Sequence, residues 1–202
     1  MILAALALAA GSPSFDCRKA LGAVEKMICV DERLAAADRA LGILDRTLPP
    51  PERQIARDGR FGWLRERNRC RTKACIIQSY ESALIEPFEH APRAKIRTYK
   101  MKGNPSGTLE ILDIGDGWLA FFAQADWTGV LPISAPDETA DETEIAGVFK
   151  LERGSRAPTD EFECGWKIQR LRGDRWKLED WPGSKDLSCG ARNASVAGVY
   201  SR

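Results

Sequence analysis

The first half of the chain carries its apolar residues at helical intervals and the second half carries them in alternation. Phe15 to Cys29 reads as a short helix with Asp16 as a possible N-cap. Asp31 caps a second, longer helix, in which Leu34, Ala37, Leu41, Leu44 and Leu48 form one stripe at 3-4 spacing. Pro49, Pro50 and Pro51 end it and open a third, where Glu52 suits the positive end of the helix dipole. The third helix runs to about Cys70. Gly59 and Gly62 weaken it by about 1 kcal/mol each relative to alanine, and close approach of a neighbouring helix is the expected benefit. A fourth helix, Lys73 to Ile85, sets Ile77, Tyr80 and Leu84 on one side, and Pro87 and Pro92 close the helical region.

Near Tyr99 the period changes to two. Thr108–Gly115, Trp118–Thr128, Thr143–Glu152, Glu161–Arg172, Arg175–Trp181 and Ala194–Tyr200 read as strands. Gly115-Asp116-Gly117 and Gly173-Asp174 are hairpin turn signals. The fold class is therefore α+β: an N-terminal disulfide-tied helical bundle over 13–92, then a small antiparallel β domain over 98–202, as a sheet, sandwich or barrel.

Composition refines this picture. Gly11–Arg97 holds 17 basic and 12 acidic residues, whereas Thr98–Arg202 holds 13 and 17, so the front is basic and the back acidic. Neither excess is large enough to imply nucleic acid. Met1–Ala10 is a short apolar run before Gly11, Ser12 and Pro13, too short to span a bilayer. It reads as part of a signal peptide over 1–12, although a basic n-region is missing; a buried N-terminal helix is the alternative. An export signal with six cysteines favours disulfides over metal and a periplasmic or secreted location.

Cys29 and Cys70 fall together if helices two and three are antiparallel, which leaves Cys17 to reach Cys75. Cys17–Cys70 with Cys29–Cys75 ranks second among the three possible pairings. Cys164 and Cys189 would tie the strand carrying Trp166 to the loop before the last strand.

The densest chemistry lies between Trp63 and Cys75, WLRERNRCRTKAC. Trp63, Arg67 and Cys70 share one helix face, with Trp63 as core anchor, and Arg65, Arg69 and Arg71 point more outward. No nucleophile elbow, phosphate loop, dinucleotide fingerprint or zinc-protease motif is present. His90 is the only histidine. The expectation is a binding protein with neither catalytic residue, metal nor cofactor.

Phe15-Asp16-Cys17, the run V-E-K-x-I-C at Val24–Cys29, Asp31 with Leu34, W-L-R-x-R-x-x-C at Trp63–Cys70, then Cys75 and Tyr80, resemble the LprI-type N-terminal domain. The resemblance covers about Ser14 to Pro87. It implies an exported bacterial protein associated with lysozyme inhibition, with the cysteines in bridges and Trp63 in the core. Cys189-Gly190 followed by Val196–Tyr200 looks like the closing strand of small exported β domains.

The function that follows is binding and blocking of a peptidoglycan-cleaving muramidase, with c-type lysozyme as the expected partner. Arg65, Arg67, Arg69 and Arg71, or Lys185 in the Pro182–Asp186 turn, would present a cation to the enzyme's two carboxylates. The acidic stretch Pro136–Glu144, with Asp137, Glu138, Asp141 and Glu142, would steer association with a basic enzyme. The alternative is a non-inhibitory envelope module whose β domain binds a peptide, glycan or small ligand on exposed Trp118, Trp127, Trp176 or Trp181. The position of the tryptophans separates the two: a wet aromatic cluster favours ligand binding, and buried tryptophans with a rigid basic loop favour inhibition.

Overall fold

The computed structural model describes residues 11–103, 106–126, 142–151, 166–180 and 196–202. A 3-10 turn at Cys17–Lys19 precedes four helices, α1 (Ala23–Val30), α2 (Glu32–Thr47), α3 (Pro50–Arg67) and α4 (Lys73–His90). A second 3-10 turn, Arg93–Lys95, leads into seven strands. These are β1 (Ile96–Met101), β2 (Ser106–Gly115), β3 (Trp118–Asp126), β4 (Glu142–Lys150), β5 (Trp166–Leu171), β6 (Arg175–Asp180) and β7 (Gly198–Ser201). The α+β class expected from the two periodicities is what the chain adopts. Among the described residues no helix is long and apolar enough to cross a membrane.

The helix boundaries have local causes. The stretch read as one helix from Phe15 breaks at Gly22, where the Glu25 carboxylate accepts hydrogen bonds from the Leu21 and Gly22 amides and restarts the chain as α1. The Asp31 carboxylate accepts from the amides of Arg33 and Leu34, so it caps α2 as expected. All five residues of the α2 stripe are buried. α4 continues past Pro87 to His90. Pro87 removes the amide bond that residue 87 would make to the Ala83 carbonyl, and the helix ends three residues later. Pro87 and Phe88 are buried there, which offsets the loss.

The sheet is antiparallel throughout, in the order β4-β3-β2-β1-β7-β6-β5. Phe149 on β4 and Trp176 on β6 have four strands between them, yet their ring centroids are 5.8 Å apart. Adjacent strands lie about 4.8 Å apart, so a flat sheet would hold these rings more than 20 Å from each other. The sheet is therefore curled into a half-barrel. Its concave face holds Tyr99, Leu109, Ile111, Phe121, Trp176 and Tyr200. Gly198 permits the closure between β7 and β1, since a Cβ there would fall 1.9 Å from the Met101 sulfur.

The other face is covered by helices. Leu112, Ile114, Ala120, Phe122, Ala146 and Val148 join Leu34, Leu41, Ile77, Tyr80, Leu84 and Phe88 in one core. Phe88 and Phe122 stack with centroids 6.0 Å apart. Lys150 of β4 reaches Glu32 at the start of α2, and Arg39 donates to the Ile114 carbonyl of β2. The helical layer and the sheet thus bury one continuous apolar core.

Two expectations are corrected. The bridges are Cys17–Cys29 and Cys70–Cys75, which is neither pairing ranked from the helix layout. Each is local. The chain reverses before α1, so Cys17 comes beside Cys29 with 5.8 Å between Cα atoms. The α3–α4 turn is tight enough to bring Cys70 within 5.5 Å of Cys75. The closed loops span 12 and 5 residues, so each bridge removes less unfolded-state entropy than a loop of about 40 residues would. The second correction concerns Gly59 and Gly62. Among the described residues nothing lies within 4 Å of a Cβ placed on either, so no described helix approaches them closely. Cys164 and Cys189 lie outside the described residues.

Candidate functional site: a locked basic turn

α3 ends because its last turn is satisfied from within: the Asn68 amide donates to Leu64 and the Cys70 amide to Arg67. Thr72 then caps α4 by accepting from the Cys75 amide. The Cys70–Cys75 bridge closes the same few residues covalently. The link Asn68–Thr72 is thereby fixed by cap, backbone bonds and disulfide together.

Below the turn lies a buried polar network. Trp63 donates its indole N–H to the Ser79 carbonyl at 3.0 Å and meets Tyr80 edge-on at 5.2 Å. The Arg67 guanidinium stacks on both rings, 5.2 and 5.7 Å from their centroids. Arg67 Nη1 donates to the Tyr80 hydroxyl at 2.8 Å, and the remaining donors of the fork reach Asn68 Oδ1. The Tyr80 hydroxyl donates to Asp38 Oδ1 at 2.7 Å, and Asp38 Oδ2 accepts from the amide and hydroxyl of Ser14. Burial, together with the Asp38 charge, raises the Tyr80 hydroxyl far above its ordinary pKa, so it stays protonated. The network joins the N-terminal segment, α2, α3 and α4.

This arrangement sorts the four candidate arginines. Arg67 is 4% exposed and its donors are engaged, so it is not available to a partner. The cause is its position, one helical turn from Trp63 and on the same face. Arg65, Arg69 and Arg71 are exposed. Arg69 pairs with Glu66 at 2.7 Å, while Arg65 and Arg71 make no ion pair among the described residues. Lys73, the first residue of α4, reaches Asp31 at 2.7 Å. Burial raises the Asp31 carboxyl, but the Lys73 ammonium and the Leu34 and Arg33 amides outweigh it and hold the carboxyl below its ordinary range.

The other candidates fall elsewhere. Asp137, Glu138, Asp141 and Lys185 lie outside the described residues, as do Trp127 and Trp181. Glu142 opens β4, opposite Asp126. Trp118 and Trp176, offered as an aromatic platform, are 8% and 0% exposed. An open cleft of about 620 Å³ lies at the opposite end of α2 from the turn, between Ile43, Arg46, Thr47, Lys95, Leu112 and Asp113.

Sequence reading missed two features. Asp38 stands four residues from Leu34 inside an apolar stripe, and a carboxylate there signals a buried partner. Phe61 and Ile55 are exposed on α3, Phe61 on the side away from Trp63 and Arg67. A helical wheel of α3 carries that signal.

Fold and site together define a class: an α+β protein in which a disulfide-braced helical layer covers a half-barrel and displays a rigid cationic turn. Comparison with family models, curated proteins and solved structures gave no match.

Proposed function

We propose that this is an exported LprI-like protein that binds and blocks a lysozyme-type muramidase by setting the locked basic turn against the enzyme's acidic cleft. The observation that carries the reading is the pair Arg65 and Arg71, exposed and without an ion pair among the described residues, around a turn fixed by the Cys70–Cys75 bridge. A muramidase of this type works with two carboxylates in a cleft. A guanidinium brought to them makes charge-assisted hydrogen bonds, which strengthen as water is excluded. Rigidity matters because a preformed loop spends little conformational entropy on binding. The burial of Trp118 and Trp176 favours this reading over an aromatic ligand platform. The two disulfides are compatible with an oxidising, extracytoplasmic location.

The test is a turbidity assay of c-type lysozyme on bacterial cell walls with the full oxidised chain. Dose-dependent inhibition is expected. Arg65→Glu with Arg71→Glu should weaken it about tenfold or more, and the remaining inhibition should lose its salt sensitivity. Absence of inhibition of c-type, g-type and i-type lysozymes at micromolar concentration removes the reading.

A further inference from the structure

α3 is unusual among the helices of this chain in what it leaves to solvent. Arg67 is its one fully buried residue, while Phe61 and Ile55 are 77% and 63% exposed. At 100° per residue Phe61 lies between Arg57, four residues before it, and Arg65, four residues after it. Both arginines are exposed and make no ion pair among the described residues. The acid nearest that side, Asp58, accepts from the neutral Gln54 amide at 3.0 Å and makes no ion pair among the described residues, while Glu66, farther round the helix, holds Arg69. The result is an aromatic ring bracketed by two exposed arginines, neither held in an ion pair among the described residues, on a helix that runs directly into the locked turn.

From these observations we infer that the binding surface extends from the turn along the solvent side of α3, with Phe61 as its apolar anchor. The partner it fits is a protein with an elongated groove that is apolar at its floor and rimmed by carboxylates. This rests on the function proposed above and names the part of the muramidase cleft that is engaged beyond the catalytic carboxylates. The charge argument selects the partner. Arg57, Arg65, Arg69 and Arg71 outnumber Asp58 and Glu66, so a second copy of α3 is repelled and an acidic rim is attracted. From Ile55 to its end at Arg67, α3 rises about 18 Å, which is the scale of a helix lying in a groove. The division of labour follows. Phe61 loses water on docking and sets the lifetime of the complex, while Arg57 and Arg71 at the rim set the encounter rate.

The test is binding kinetics of the full oxidised chain on immobilised c-type lysozyme at low and physiological salt. Phe61→Ala should speed dissociation about tenfold to a hundredfold with an almost unchanged association rate. Arg57→Glu should slow association and reduce its salt dependence. A ring this exposed contributes little to folding, so Phe61→Ala should melt with the wild type, which separates loss of binding from loss of structure. Wild-type binding that Arg71→Glu weakens and Phe61→Ala leaves intact overturns this inference and leaves the proposed function standing. No wild-type binding or inhibition with any of the three lysozyme classes overturns both. Binding to phosphatidylglycerol vesicles that Phe61→Asp abolishes assigns the face to lipid and overturns the protein groove.

Discussion

Arg67 illustrates how a charged side chain can be structural. It is a cation in a basic stretch, yet it lies on the Trp63 face and donates inward to Tyr80. Tyr80 passes that contact to Asp38, and Asp38 anchors Ser14. Tyr80→Phe keeps the ring against Trp63 and removes only the hydroxyl. Asp38 then loses a short bond in a buried site, and Nη1 of Arg67 loses its acceptor. Hydrogen bonds to charged groups contribute about 1.5–3 kcal/mol, and that is the loss of stability expected in urea unfolding. A change under about 0.5 kcal/mol would show that the network does not brace the helices. The inward face of α3 was legible from Trp63, since a tryptophan at i−4 places residue i beside it. The role of Asp38 was not, because its partners come from three other segments.

At the scale of elements, caps and stripes were readable and covalent links were not. Asp31 before Glu32 and the stripe from Leu34 to Leu48 define α2 from local chemistry. Cysteine pairing depends on where the chain reverses, and the reversals at 20–22 and 68–72 are set by turns and caps that the helix layout leaves open. β1 was missed because Arg97 and Lys100 interrupt its pattern; β2 and β7 supply its ladder from both sides. One junction between elements also titrates. Glu81 of α4 lies 3.3 Å from Arg33 of α2 and beside Gly147 of β4. Burial pushes its carboxyl from 4.5 up to about 7, with Arg33 pulling the other way. The folded chain therefore holds this proton more tightly than the unfolded chain does. The stability it contributes is complete below the unfolded value of 4.5 and is lost as pH rises through about 7. Glu81 is still partly exposed, so the expected size is about 1–3 kcal/mol. Glu81→Gln should flatten the decline between about pH 5 and pH 8 and be more stable than wild type at the upper end. Parallel pH profiles for the two proteins would show that Glu81 does not titrate in this range.

The whole molecule is more unified than its sequence pattern. The change of period near Tyr99 separates helices from strands, and it was legible because each half obeys its own periodicity. A period says which face is apolar and not what covers it. β3 is buried on both faces, one turned to the concave interior and one to α2 and α4. A run such as Trp118–Ala123 reads the same whichever layer covers it. The shared core has an energetic consequence. Phe88 is fully buried in α4 and stacks on Phe122 of β3, whereas Trp176 sits on the opposite face of the sheet, touching Tyr99 and Phe149. Replacing a buried phenylalanine by alanine costs about 3–5 kcal/mol. If the helical layer and the half-barrel fold as one unit, Phe88→Ala, made in a Trp63→Phe, Trp118→Phe background that leaves no described tryptophan against the helices, lowers the denaturant midpoint seen by helical circular dichroism and by tryptophan fluorescence by the same amount. The two transitions coincide in the wild type and remain coincident in the variant. Were the layers independent, the helical signal would move ahead and the tryptophan signal would stay, because Trp176 makes no contact with Phe88. Coincidence is expected because loss of the helices would bare Leu112, Ile114, Phe122 and Val148 together, a face the curled sheet has no other described element to cover.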